Sequence, residues 1–355
     1  MKTRLLSFLL ALALLAGLSA CTPPAPASTP AADTVTFVDD LGREAILPGE
    51  ITRLVSSSPL AQYVIYAIAP DLLVGLSGKW DSRPEEFLPE SHLSLPYLGQ
   101  LYSSADLNVE ALAQTGPQVI IDIGEVKKSS VDDLNTLQAQ TGIPTVFLSA
   151  TLETMPDTYR KLGRLLGREE KGEELASFCE RVYSRTVSIM EQVGDNRVSC
   201  LYVLGEEGLN VLAASSYHAE LVDLLCDNLA VVDNPLSKGT GNTVTMEQIA
   251  LWDPDFVIFA PGSIYSSVQN RSPWNQISAI VNGNYVEVPD APLNWTGMPP
   301  SVQRYLGLIW LPTVLYPEYC NYDVKAEITA FYRLFFGCEL TEEQYASVTA
   351  HAFLR

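Results

Sequence analysis

Hydrophobic and polar positions along the chain fall into a repeating alternation of short apolar runs and longer stretches with helical spacing. Thr34-Val35-Thr36-Phe37-Val38 alternates with period two, and Asp39-Asp40-Leu41-Gly42-Arg43 turns it into a second short strand that ends at Pro48. Arg53-Leu54-Val55-Ser56 predicts a buried strand, and Ser58-Pro59 opens a helix through Tyr66. Leu72–Leu76, Gln118–Asp122 and Thr145–Leu148 predict further strands, with helices over Val109–Gln114 and Asp132–Thr141 between them. Continuous apolar strands alternating with helices predict a mostly parallel sheet covered on both faces.

From Glu153 to Val193 the pattern changes. The stretch has no proline after Pro156, and Leu175, Phe178, Val182, Val187 and Met190 recur close to helical periodicity. At about 1.5 Å per residue, the 25 positions from Glu169 to Val193 reach about 38 Å, enough to run from one lobe to another. Val198–Leu204 is the next strand, and the alternation resumes.

An internal echo brackets this helical stretch. Asn108-Val109-Glu110-Ala111-Leu112-Ala113 leads to Pro117-Gln118-Val119-Ile120-Ile121, and Thr245-Met246-Glu247-Gln248-Ile249-Ala250 leads to Pro254-Asp255-Phe256-Val257-Ile258. In each copy a glutamate at a helix start lies seven residues before a proline that opens a buried strand. The copies stand 137 residues apart, which predicts two similar halves joined by one helix.

The first residues change the picture by giving an address. Lys2 and Arg4 precede the apolar run Leu5–Leu18, too short to span a bilayer comfortably, and Leu18-Ser19-Ala20-Cys21 places small residues before a cysteine. The end of this run resembles a bacterial lipoprotein signal, with residues 1–20 removed and Cys21 lipidated. Four prolines within Thr22–Ala32 predict an extended tether over 21–32. Loss of Lys2 and Arg4 takes the formal charge from −20 to −22. That charge repels nucleic acid and disfavours lying on an anionic membrane. Three histidines argue against a histidine-rich zinc or manganese site. The five remaining cysteines are odd in number; Cys320 with Cys338 is one pairing an exported chain could form, and small buried hydrophobes is the alternative. H-E-x-x-H, G-x-S-x-G and the P-loop are all missing from the sequence, so an enzyme has little support; a lipid-anchored hydrolase with a scattered triad is its remaining form.

Nearly the whole mature chain resembles the substrate-binding lipoproteins of ABC importers for iron complexes (siderophore or haem) and cobalamin. Beside the echo, the resemblance rests on Asp39–Arg43, Arg53–Pro59, Leu73-Val74-Gly75-Leu76-Ser77, and Asn294-Trp295-Thr296-Gly297-Met298-Pro299-Pro300-Ser301 leading to Gly307–Leu311. It implies two Rossmann-like α/β lobes with mostly parallel sheets joined by a single long helix, a periplasmic-binding-protein-like fold of the helical-backbone type. The expected domains are an N-terminal lobe over 33–152, a linking helix over 153–194 and a C-terminal lobe over 195–355. It also implies that Glu110 and Glu247 dock onto a permease dimer served by cytoplasmic ATPase subunits. The chain itself would be a monomer without a cofactor of its own, anchored by lipid on the outer face of the cytoplasmic membrane.

The ligand is expected between the lobes, beyond the carboxyl ends of the strands. Trp80, Tyr102, Tyr217, Tyr265 and Trp295 are the aromatics expected there, suited to a large planar or rigid metal complex. Arg304 is the favoured cation, with Lys79, Arg83, Lys238 and Arg271 as others. Were the ligand haem, Tyr102, Tyr217 or His218 would be its axial ligand. The alternative is an oxyanion carrier of the molybdate or tungstate type, using hydroxyls of Ser56-Ser57-Ser58 and Ser215-Ser216.

Overall fold

In the computed structural model, residues 33–80, 82–100 and 108–354 are described. Residues from Val35 onward form one compact unit.

β1 (Thr34–Val38) and β2 (Glu44–Pro48) form a two-stranded ribbon. Asp39 closes its turn by accepting from the backbone N–H groups of Leu41 and Arg43 at 3.0 and 2.9 Å. Its second oxygen accepts from the Phe147 N–H, which ties the ribbon to the first large sheet. That sheet is parallel, in the order β3 (Leu54–Ser56), β4 (Val119–Gly124), β5 (Thr145–Ser149), with Leu54 opposite Val119 and Ile120 opposite Thr145. Its helices are α1 (Pro59–Ile68), capped by the Ser58 side chain, α2 (Val109–Thr115) and α3 (Ser130–Thr141). The strand expected over Leu72–Leu76 is replaced by a short 3-10 turn at Pro70–Leu72 and isolated bridges at Leu73 and Leu76. Gly75 there is pressed so closely on Leu98 that a Cβ would lie 2.5 Å from its Cδ1.

The helical stretch is two helices, α4 (Met155–Leu166) and α5 (Glu169–Val193), broken at Gly167 with φ +62°. They meet at backbone distance: a Cβ on Gly172 would lie 2.7 Å from the Tyr159 carbonyl and 3.0 Å from the Gly163 Cα. Arg160 adds bonds to both Glu173 and Glu180.

The second sheet runs β11 (Tyr285–Glu287), β10 (Phe256–Phe259), β6 (Ser199–Leu204), β7 (Asn210–Val211), β9 (Asn242–Thr243), with β8 (Asp227–Asn228) also on β6. β10 is parallel to both neighbours, whereas β7 is antiparallel to β6 and β9. Alternate residues of β6 and β10 belong to different cores: Tyr202 and Ile258 join the large core that includes both α5 and β4, while Val203 and Val257 pack on the opposite face. The covering helices used below are α6 (Glu220–Leu225), α7 (Met246–Trp252), α8 (Ser278–Asn282), α9 (Arg304–Leu315), α10 (Val324–Phe331) and α11 (Glu342–Val348). All five cysteines among the described residues are free thiols; Cys179, Cys200 and Cys226 are buried, Cys320 and Cys338 half-buried.

Candidate ligand cleft and docking faces

Both sheets direct the carboxyl ends of their parallel strands at cavities. The first, about 480 Å³, takes Ser58, Asp122, Gly124 and Glu125 from the β3 and β4 ends. Its other wall comes from the second half of the chain, through Tyr217, His218, Ser237, Pro299 and Pro300. The second, about 610 Å³, lies beyond β6 and β10, bordered by Leu204, Ala260, Asp290, Asn294 and Met298. The segments 237–240 and 298–300 contribute to both, and Gly239 sits against Met298.

Tyr217 is held from three sides. Its hydroxyl donates to the Ala150 carbonyl at 2.7 Å, its N–H donates to Ser237 Oγ, and the Arg304 guanidinium lies 5.0 Å from its ring centre. His218 beside it keeps a buried Nδ1 without a hydrogen-bond partner. Burial first, then the charges of Arg304 and Lys127, push its pKa down to about 4, so the imidazole is neutral near pH 7. Asp290 moves the other way, its carboxyl raised by burial.

The sequence echo has a matching pair of structures. α2 and α7 each have seven residues, and a side-chain oxygen of the N-cap, Asn108 or Thr245, accepts from the N–H three residues on. Each buries one residue, Leu112 or Ile249, and ends in a left-handed C-cap, Gly116 or Asp253. Glu110 and Glu247 stand in the first turns, both exposed. Hydrogen bonds from its own backbone and the Thr245 side chain hold the Glu247 carboxyl below its ordinary range.

Residues 66–292 match the family model described as periplasmic binding protein. The chain belongs to that family. An ABC transporter solute binding protein from Sulfurospirillum deleyianum DSM 6946 is 28% identical, with a TM-score of 0.80 over 89% of this chain and 99% of its own. A periplasmic solute binding protein from Veillonella parvula DSM 2008 is 21% identical, with a TM-score of 0.71 over 89% and 97%. The molybdate periplasmic binding protein MolA of Haemophilus influenzae, solved with molybdate, is 17% identical, with a TM-score of 0.68 over 86% and 99%. No curated protein matches the chain in sequence. The protein is therefore the extracytoplasmic solute-binding component of an ABC transporter, working with a permease and its ATPase, and is not an enzyme.

The fold of this binding protein corrects several expected ligand contacts. Trp80 is buried, stacked at 5.2 Å on Tyr63 and edge-on at 5.0 Å to Tyr66. Trp295 is fully buried, its Nε1 donating to the Tyr332 hydroxyl and its ring edge-on to Trp310. Tyr265 packs against Phe259, Tyr285 and His351 beside a separate cavity of about 400 Å³ on the second half. Arg304 has no solvent exposure; its Nη1 bonds to Glu220, and Nη2 is buried without a partner. In each case apolar area or an ion pair within one lobe outweighs exposure to the cleft. Of the expected rings, Tyr217 lines a cleft cavity; Tyr102, like Cys21, lies outside the described residues.

Carboxylates are what the sequence reading missed. Asp122, Glu125 and Asp133 line the first cavity and Glu206 and Asp290 the second, against Lys127 as the lining ammonium. Asp122 had a signal: it interrupts the buried run Val119-Ile120-Ile121-Asp122-Ile123, where an acid needs a partner, and Ser57 Oγ donates to it. Four of the five expected oxyanion hydroxyls are already hydrogen-bonded, Ser57 to Asp122 among them, and Ser215 is exposed. Ser56 and Ser77 share a 2.6 Å bond, Ser58 caps α1, and Ser216 Oγ donates to the Ala213 carbonyl. Among the described residues, no group of three or more His, Cys, Asp or Glu is placed to hold a bare metal ion.

Proposed function

We propose that this binding protein captures a metal complex (an iron–siderophore chelate, haem or a cobalamin-type corrinoid) between its two sheets and hands it to the permease. The observation that carries this reading is the pair of adjoining cavities, about 480 and 610 Å³, at the carboxyl ends of both sheets. That volume suits a bulky chelate, whereas a four-oxygen anion needs a small shell of N–H and hydroxyl donors. The engaged serine hydroxyls and the acidic lining weigh in the same direction. Tyr217 supplies an aromatic wall, and the neutral His218 lines the same cavity as the imidazole nearest to a metal with an open axial position.

Glu110 and Glu247, on matched helices of the two halves, are the proposed contacts with the two permease subunits. The folded part, with an N-terminal lobe over 33–152, a linking stretch over 153–194 and a C-terminal lobe over 195–355, would work as a monomer. Removal of residues 1–20 and lipidation of Cys21 would hold it at the membrane through the 21–32 tether. The test is thermal melting and intrinsic fluorescence of the mature chain with haem, cobalamin, ferric siderophores, molybdate and zinc. A saturable response with matching stabilisation by one metal complex is expected. Stabilisation by molybdate alone would overturn the reading.

A further inference from the structure

The lining of the cleft is acidic beyond what a ligand of arbitrary charge would tolerate. Three carboxylates face the first cavity and two the second, against one ammonium, Lys127. The other nearby cations do not redress the balance. Arg304 is sealed from solvent and paired with Glu220, and Arg271 is paired with Glu207. Arg83 is paired with Glu86 and bonded to Ser347, and its charge only partly offsets the burial that raises the Asp290 carboxyl. Lys238, exposed between the lining residues Ser237 and Gly239, adds a second ammonium at the rim and leaves the carboxylates in excess.

Two further observations make this a recognition feature. Asp122 is a buried carboxylate at the floor of the first cavity, kept in a strand otherwise made of valine, isoleucine and glycine. In the same cavity, His218 is a lining residue with a neutral ring, which adds no positive charge. A polyanion entering here would meet more carboxylates than ammonium groups. We infer that the cleft selects a metal complex whose outer surface is neutral or positively charged, bearing amides or amines, and rejects polyanionic chelates. The inference rests on the metal-complex reading above and adds the charge of the cargo to it.

The experiment is calorimetric titration of the mature chain with ferrioxamine B, a ferric chelate carrying an ammonium, with cobalamin, and with the trianion ferric enterobactin. Spermidine serves as an organic cation without metal. Ferrioxamine B or cobalamin should bind at least about a hundredfold more tightly than ferric enterobactin. For a cationic probe, Glu125→Gln and Asp133→Asn should each weaken binding by about threefold to tenfold, and Lys127→Gln should strengthen it; Lys127 and Asp133 are exposed and Glu125 is partly exposed, and each replacement keeps the side chain's size, so folding is preserved. Tighter binding of ferric enterobactin overturns the charge inference and leaves the metal-complex reading standing. Binding of spermidine alone overturns the metal-complex reading and with it the inference as stated for a metal complex. Silence with all four probes removes both.

Discussion

Arg304 offers the sharpest energetic test because it was expected in the ligand site and is instead a buried strut. Its Nη1 meets Glu220, whose other oxygen accepts from the Leu152 N–H at 2.9 Å. Tyr305 and Tyr217 hydroxyls donate to the neighbouring Leu152 and Ala150 carbonyls at 2.6 and 2.7 Å. The exit of β5 is thereby fastened to α6 and α9 of the second half. Glu220→Leu removes the Leu152 bond, worth about 1 kcal/mol, and strands the guanidinium. Stranding one member of a buried pair costs about 3–5 kcal/mol, reduced to about 2–3 because the Glu220 side chain is 27% exposed. For a chain of this size the sum lowers the melting temperature by roughly 4–8 °C. The double variant Arg304→Met, Glu220→Leu keeps an apolar stem in place and removes the stranded charge. It should therefore melt above Glu220→Leu by about 1–2 kcal/mol of stability. Differential scanning calorimetry of the two singles and the double supplies the cycle. A double variant as unstable as the sum of the singles would refute the argument. Loss of ligand affinity in a well-folded Arg304→Met protein would return this arginine to the ligand site.

Charge reversal at both Glu110 and Glu247 should abolish uptake in cells and leave ligand affinity within about twofold, measured by titration; a matching affinity loss would place them in the ligand site. His218, neutral in the fold with a pKa near 4, binds a proton more readily in the unfolded chain, near 6.5. Its contribution to stability is therefore present above pH 6.5 and lost as pH falls toward 4. Since the ring is partly exposed, a loss of about 1–2 kcal/mol is expected, and His218→Gln should show a shallower melting decline over that window. Gly172→Ala should destabilise by about 2–3 kcal/mol in denaturant titration, because its Cβ would strike the Tyr159 carbonyl at 2.7 Å. Trp295→Phe should lower stability by about 1–2 kcal/mol and leave ligand affinity unchanged.

What was legible in the chain was local. Asn108 and Thr245 cap their helices through bonds that reach three residues, and Pro117 and Pro254 open the strands that follow, so the paired elements could be read from spacing alone. Glu169–Val193 was legible because 25 residues of helical periodicity leave little alternative. The two-residue strands β7, β8 and β9 were not, since so short a segment carries no period to recognise. The aromatics misled for a related reason. A tryptophan in a loop reveals that it needs covering, and not what covers it; Tyr332, from a distant part of the chain, covers Trp295. Arg304 shows the same limit, because its partner Glu220 is 84 positions away.

The contact of Gly163 with Gly172 has a consequence for how the chain moves. A helix that lies backbone against backbone along its first turns cannot bend there like a strap, since no side chains stand between the two to re-pack. Whatever travel the two lobes make between empty and full is then absorbed outside this corner, which is carried along as one rigid piece.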